Sequence, residues 1–323
     1  MSAEPAQDCW NSYLDHFDYF TVDNIRPGNH PRAMVHPHPV KNSIVLVHGL
    51  SDSPYYMTAL GDFFFKELGY NVFLPLLQGH GLRDPQGMEN VQLEEWQRNV
   101  RFAIDAACAT QTQVSVGGLS TGGALCYQMA AENSTITGAL YLFSAALDLS
   151  DRNTFFRGNL KELALRSKRF VDLTERGRSL VQRVANVFNN NEETGSHLIG
   201  QNPYKYKYID LDGAHQLAKL IQETDRITAG FNTDNRFVTP VFIAHSESDK
   251  TVDINAVKEL ALVCEHADTL FFARSLEIGH AEVVLNNDIS PTDPGKEQNR
   301  NPEFLTMTAR IKEFAQRNTI PHS

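Results

Sequence analysis

The chain has 323 residues, enough for one large α/β domain, and its 41% hydrophobic and 10% aromatic content belongs to a folded globular protein. A formal net charge of −10 excludes nucleic acid as the main partner, because phosphate binding needs a basic surface. No run approaches about eighteen consecutive apolar residues, so no transmembrane segment is expected.

The opening stretch MSAEPAQDCW has neither the basic nor the apolar region of a signal peptide. A cytoplasmic location is therefore expected, with export after removal of a signal left open. Cys9, Cys108, Cys126 and Cys264 are too widely spaced for a zinc site or a dense disulfide framework and read as free thiols.

Residues 1–40 form an N-terminal extension rich in His, Pro, Asp and aromatics, with strands expected near Phe17–Val22 and Arg32–Val35. Ser43–Val47 is a continuous apolar run, the pattern of a strand covered on both faces. Ser53-Pro54 reads as an N-cap and first helical residue. Met57, Leu60, Phe64 and Leu68 follow at helical spacing, and Gly69 ends that helix. Tyr70–Leu77 reads as a strand, Trp96–Ala107 as an amphipathic helix and Gln113–Gly117 as a strand, with a helix after Ser120. Ile136–Phe143, Pro240–His245 and Thr269–Phe272 read as further strands, and residues 303–317 as a closing helix. Strands alternating with helices imply an α/β fold with a mostly parallel central sheet and helices on both faces.

One interval breaks this rhythm. Residues 149–235 are far longer than a simple crossover and show helical patterns at Asn159–Phe170, Arg178–Phe188 and Ala214–Asp225. They are read as a helical cap inserted between core segments 1–148 and 236–323. Residues 151–183 carry nine Lys or Arg against four Asp or Glu. That excess suits either a solvated helix face or attraction of an anionic substrate. Asn286–Pro302 is a second irregular stretch, of a length that calls for a functional or flexible loop.

Gly118-Leu119-Ser120-Thr121-Gly122 matches G-x-S-x-G between a strand and a helix, the setting of a nucleophile elbow. The glycine spacing is not that of a phosphate loop. A serine hydroxyl needs a base. Among twelve histidines His280, after the last strand, suits best, because the chain order is then Ser, acid, His. Asp249, just past the strand Pro240–His245, is the favoured acid over Glu247 and Asp253, the latter reading as a helix cap. Val47-His48-Gly49-Leu50 follows the first buried strand, so the amides of Leu50 and Thr121 are the candidate oxyanion donors. His48 reads as a loop-shaping residue and, with Tyr204 and Tyr206, as a candidate substrate contact; the tyrosines serve equally well as anchors for the cap. No metal or organic cofactor is needed by this chemistry.

Together HGLSDSP (48–54), PLLQGHG (75–81), GLSTGG (118–123), ESD with Val252 (247–252) and IGH (278–280) resemble the α/β-hydrolase superfamily. Within it they are most similar to carboxylesterases and monoacylglycerol lipases. The resemblance covers roughly residues 42–285 and the final helix. It implies an α/β-hydrolase fold and a serine hydrolase with Ser120 as nucleophile, His280 as base and Asp249 as acid. The substrate implied is a small ester or lipid-like molecule. The same triad would serve a thioesterase, an amidase, a carbon–carbon bond hydrolase or a cofactor-free haloperoxidase, and a non-catalytic binding protein is the reading from another class. A homodimer is compatible with all of these.

Overall fold

The computed structural model describes residues 9–83, 88–150, 202–206, 209, 211–289 and 299–318. Its centre is a sheet of seven strands: β1 (Arg32–Met34), β2 (Asn42–Val47), β3 (Asn71–Leu74), β4 (Gln113–Leu119), β5 (Leu140–Phe143), β6 (Val241–Ser246) and β7 (Ala267–Phe272). The spatial order is β1-β3-β2-β4-β5-β6-β7. Edge strand β1 runs antiparallel to β3, and every other pair is parallel. Parallel strands all end on one side, so the loops after β2, β4, β6 and β7 converge there.

The helices are α1 (Tyr13–His16), α2 (Thr58–Leu68), α3 (Leu93–Cys108), α4 (Thr121–Glu132), α5 (Leu211–Ala229), α6 (Ile254–Val263) and α7 (Phe304–Asn318). Successive strand residues face opposite sides, and the core divides accordingly. Val45 and Val47 of β2 join one apolar cluster with residues of α1, α3, α4, α5 and α6. Ile44 and Leu46 join another with residues of α2 and α7. All six residues of β2 are buried, which explains its unbroken apolar run.

Four sequence expectations change. Phe17–Val22 is not a strand: it is a turn following α1. Trp10, Tyr13, Phe17 and Phe20 lie three and four residues apart, a helical spacing rather than an alternation, and all four are buried in one cluster. Tyr70–Leu77 and Ile136–Phe143 shorten to the four-residue strands β3 and β5. Leu76, Leu77 and Ile136, beyond their ends, are buried in loops. Ser53 makes no side-chain cap, and Pro54–Met57 is a 3-10 turn leading into α2.

Of the interval 149–235, the patterns Asn159–Phe170 and Arg178–Phe188 lie outside the described residues, as does the basic stretch 151–183. The third pattern is found within α5. Its Ala214, Leu217, Ala218, Leu220 and Ile221 are buried in the same cluster as α3 and α4. This helix therefore packs against α3 and α4, and its amide Gln216 accepts from the Leu93 N–H at the start of α3.

Candidate active site

Ser120 stands between β4 and α4 at φ 55°, ψ −119°, a left-handed conformation that costs a non-glycine residue on the order of 1–3 kcal/mol. Two glycines make the turn sterically feasible. A Cβ on Gly118 would lie 2.4 Å from the carbonyl carbon of Gly122, and one on Gly122 would lie 2.2 Å from the Val47 carbonyl oxygen. The strain is held by backbone hydrogen bonds on both sides: the Ser120 N–H donates to Phe143 O, and Ser120 O accepts from Ala124 and Ala146. The Ser120 Oγ is buried and has no hydrogen-bond partner among the described residues.

Asp249 lies three residues past β6 and His280 lies after β7, so both reach the same sheet end as Ser120. His280 Nδ1 is 2.7 Å from Asp249 Oδ2. The other carboxylate oxygen accepts from the N–H groups of Thr251 and Val252 at 2.8 and 3.2 Å. Burial by itself would raise the Asp249 pKa. The adjacent His280, its hydrogen bond, His245 and the Thr251 N–H outweigh burial and hold it below the usual aspartate value. An ionised carboxylate on Nδ1 fixes the imidazole tautomer, which leaves the lone pair on Nε2. Nε2 is buried without a hydrogen-bond partner among the described residues, as Ser120 Oγ is, so the Ser–His link is not closed in this structure. Such links are often long before substrate arrives.

Thr121 is the first residue of α4, where the helix presents unpaired N–H groups and the positive end of its dipole. Leu50 is buried in the loop after β2, whose Gly49 packs against Ser120: a Cβ on Gly49 would be 3.3 Å from Ser120 Cβ. Asp253, the rival acid, caps α6 through the Asn255 N–H.

His48 is fully buried, with Nδ1 2.9 Å from Gly49 O and Nε2 accepting from the Leu77 N–H. Both ring nitrogens are thus committed to backbone, at Gly49 O and the Leu77 N–H. Tyr206 is also buried. Its hydroxyl donates to Gly79 O and accepts from the Leu82 N–H, while its own N–H donates to Ser51 O. These bonds tie the stretch 202–206 to the loops after β2 and β3. Tyr204 stacks on Tyr55 at 3.5 Å between ring centroids, and the neighbouring Lys205 pairs with Asp52 at 3.5 Å.

Two residues that the motifs did not single out belong to this neighbourhood. His245, inside β6, is fully buried with Nε2 3.6 Å from Asp249 Oδ2. Burial lowers its pKa to about 4, with His280 and Lys258 acting in the same direction and Asp249 and Asp253 opposing. His80, in the loop after β3, has Nε2 2.5 Å from Leu50 O. The Q-G-H-G sequence was its only signal.

The sheet order, the strained serine between strand and helix, and the acid and histidine on later loops define an α/β-hydrolase. Residues 38–271 match the model of the family described as serine aminopeptidase, S33, and the chain belongs to that family. A curated relative, the thermostable monoacylglycerol lipase of Bacillus sp. (strain H-257), is 33% identical over 109 residues. That match covers 33% of this chain and 41% of the lipase. Among solved structures, a soluble variant of the monoglyceride lipase from Saccharomyces cerevisiae superposes with a TM-score of 0.61 at 14% identity, covering 94% of this chain and 99% of that one. The Paleococcus ferrophilus monoacylglycerol lipase gives 0.56 at 16% identity, covering 88% and 97%. At such identities the likeness establishes the fold. No helix among the described residues is long and apolar enough to cross a membrane.

Proposed function

We propose that this protein is a serine hydrolase of carboxylic esters, of carboxylesterase or monoacylglycerol-lipase type, working through Ser120, His280 and Asp249. The observation that carries the reading is the 2.7 Å contact between His280 and a buried Asp249 at the same sheet end as a serine in strained left-handed geometry. The names of the monoacylglycerol lipases among its relatives support the ester.

In the first half-reaction Ser120 Oγ attacks the ester carbonyl as His280 Nε2 takes its proton. The negative carbonyl oxygen is held by the N–H groups of Leu50 and Thr121, the latter reinforced by the α4 dipole. His280 passes the proton to the departing alcohol, leaving an acyl group on Ser120. Water, deprotonated by the same imidazole, then releases the acid. Asp249 stays ionised throughout and stabilises the imidazolium. The substrate is a small ester or lipid-like molecule.

The test is hydrolysis of p-nitrophenyl esters from C2 to C16 and of a monoacylglycerol, with Ser120→Ala as the control. The wild type is expected to hydrolyse esters and to be labelled on Ser120 by a fluorophosphonate, and Ser120→Ala to lose both. A folded wild type inert to every ester and to the probe would refute the reading. The family description favours one competitor, an amide substrate with a free amino group. Preference for aminoacyl-p-nitroanilides over the esters would move the assignment there.

A further inference from the structure

The two candidate oxyanion donors are held in different ways. Thr121 N–H is fixed by the start of a twelve-residue helix. Leu50 N–H sits in a loop after β2, outside any regular element. A hydrogen bond to a developing oxyanion is effective only if its donor is already aimed, so something outside the loop must hold Leu50.

The contacts around Leu50 supply that. Its amide belongs to the Gly49–Leu50 peptide, whose carbonyl accepts from the Asp52 N–H at 3.1 Å and lies 2.9 Å from His48 Nδ1. His48 Nε2 accepts from the Leu77 N–H, so Nδ1 carries the proton and donates to Gly49 O. In a planar trans peptide, a carbonyl fixed in one direction sets the N–H in the opposite one. The next peptide is held by His80. Its Nε2 lies 2.5 Å from Leu50 O, the shortest contact of the loop, so the single ring proton is placed on Nε2, and its backbone N–H donates to Leu77 O. Gln78 O, 2.9 Å from His80 Nδ1, already accepts from the Trp96 indole N–H. The His48 and His80 rings meet edge to face with centroids 4.9 Å apart, and both are fully buried.

We propose that His80 is a positioning residue of the reaction: by holding Leu50 O it fixes the peptide after Leu50, and with His48 fixing the peptide before it the Leu50 N–H cannot swing away from the oxyanion. It touches neither the substrate nor Ser120, and acts through Leu50. The ring also fills a buried space beside Trp96, at 5.7 Å between centroids. A phenylalanine would fill that space as well, but could not hold a carbonyl.

The inference rests on the ester-hydrolase reading, and one experiment separates the two. His80→Phe keeps ring volume and removes the donor; His80→Gln keeps a donor on a flexible chain. Both are compared with wild type for kcat and KM on a p-nitrophenyl ester, with rates expressed per site titrated by a fluorophosphonate. Inhibition by a trifluoromethyl ketone, which mimics the tetrahedral oxyanion, is measured alongside. His80→Phe is expected to lose about tenfold to a hundredfold in kcat at little-changed KM, less than outright removal of a donor. Ketone affinity should fall in parallel, and His80→Gln should recover part of both. If His80→Phe fails to fold, His80→Asn, whose amide is too short to reach Leu50, takes its place with the same expectation. An unchanged kcat per titrated site, or a loss of kcat without loss of ketone affinity, overturns the role of His80 while the ester reading stands. A wild type that neither hydrolyses esters nor takes the probe overturns both.

Discussion

At the scale of single residues, His245 makes the sharpest prediction. It lies within 3.6 Å of Asp249 yet is neutral, because burial lowers its pKa from 6.5 to about 4. Unfolded, the same imidazole takes a proton near 6.5, so between those values the unfolded state binds more protons than the folded one. Stability then rises with pH across this window, and what is present above 6.5 is lost as pH falls towards 4. The shift corresponds to roughly 3 kcal/mol at most. His245→Phe should flatten the dependence of Tm on pH between 6.5 and 4 relative to wild type. An unchanged slope would mean that another group carries it. Asp249 contributes in a lower range. Its pKa is depressed in the folded state, so its stabilisation is present above the unfolded aspartate value and is lost only as pH falls below it.

At the scale of elements, the site depends on how helices begin. α4 begins at a serine that no glycine-free sequence could place there. Gly122→Ala would set a methyl 2.2 Å from Val47 O, which neither β2 nor α4 can relieve without moving. We expect loss of soluble, folded protein, or a Tm lowered by many degrees, read by thermal melting. α6 begins at Asp253, whose side chain accepts from the Asn255 N–H. Asp253→Ala should cost about 1 kcal/mol of stability in chemical denaturation. Because α6 follows the loop that carries Asp249, a selective loss of activity in this variant would show that the cap also steadies the acid.

Over the whole molecule, distant segments are tied together around the catalytic end. The stretch 202–206 reaches the N-terminal extension through Pro203 O and Asn29, the loop after β2 through Tyr206 N–H and Ser51 O, and the loop after β3 through the Tyr206 hydroxyl. The Arg26 guanidinium lies 4.9 Å from the Tyr206 ring centre, bringing the extension into the same junction. Tyr206→Phe removes a buried hydroxyl that serves both Gly79 O and the Leu82 N–H, leaving both without it. The expected cost is about 1–3 kcal/mol in the unfolding free energy. The substitution is also expected to lower kcat, because the loop it loosens carries His80.

Local chemistry was enough to announce much of this from the sequence. Apolar runs such as Ser43–Val47 announced buried strands, because a strand covered on both faces has no polar side to show. The glycines about Ser120 announced an elbow, because only backbone without Cβ packs that closely. Asp249 and His280 stood out because parallel strands deliver their following loops to one end, and they lie 2.7 Å apart. Other features were decided only by the tertiary structure. The aromatic residues from Trp10 to Phe20 could be a strand or a helix and turn until the cluster they fill was known. His245 looked like one more residue of a buried strand, and nothing local marks its approach to Asp249. His80 is thirty residues from Leu50 in the chain, and Tyr206 more than a hundred from Gly79. A motif reports the backbone shape that its own residues impose. Which distant carbonyl a buried imidazole or phenol meets is set by how the loops pack, and only the folded chain settles that.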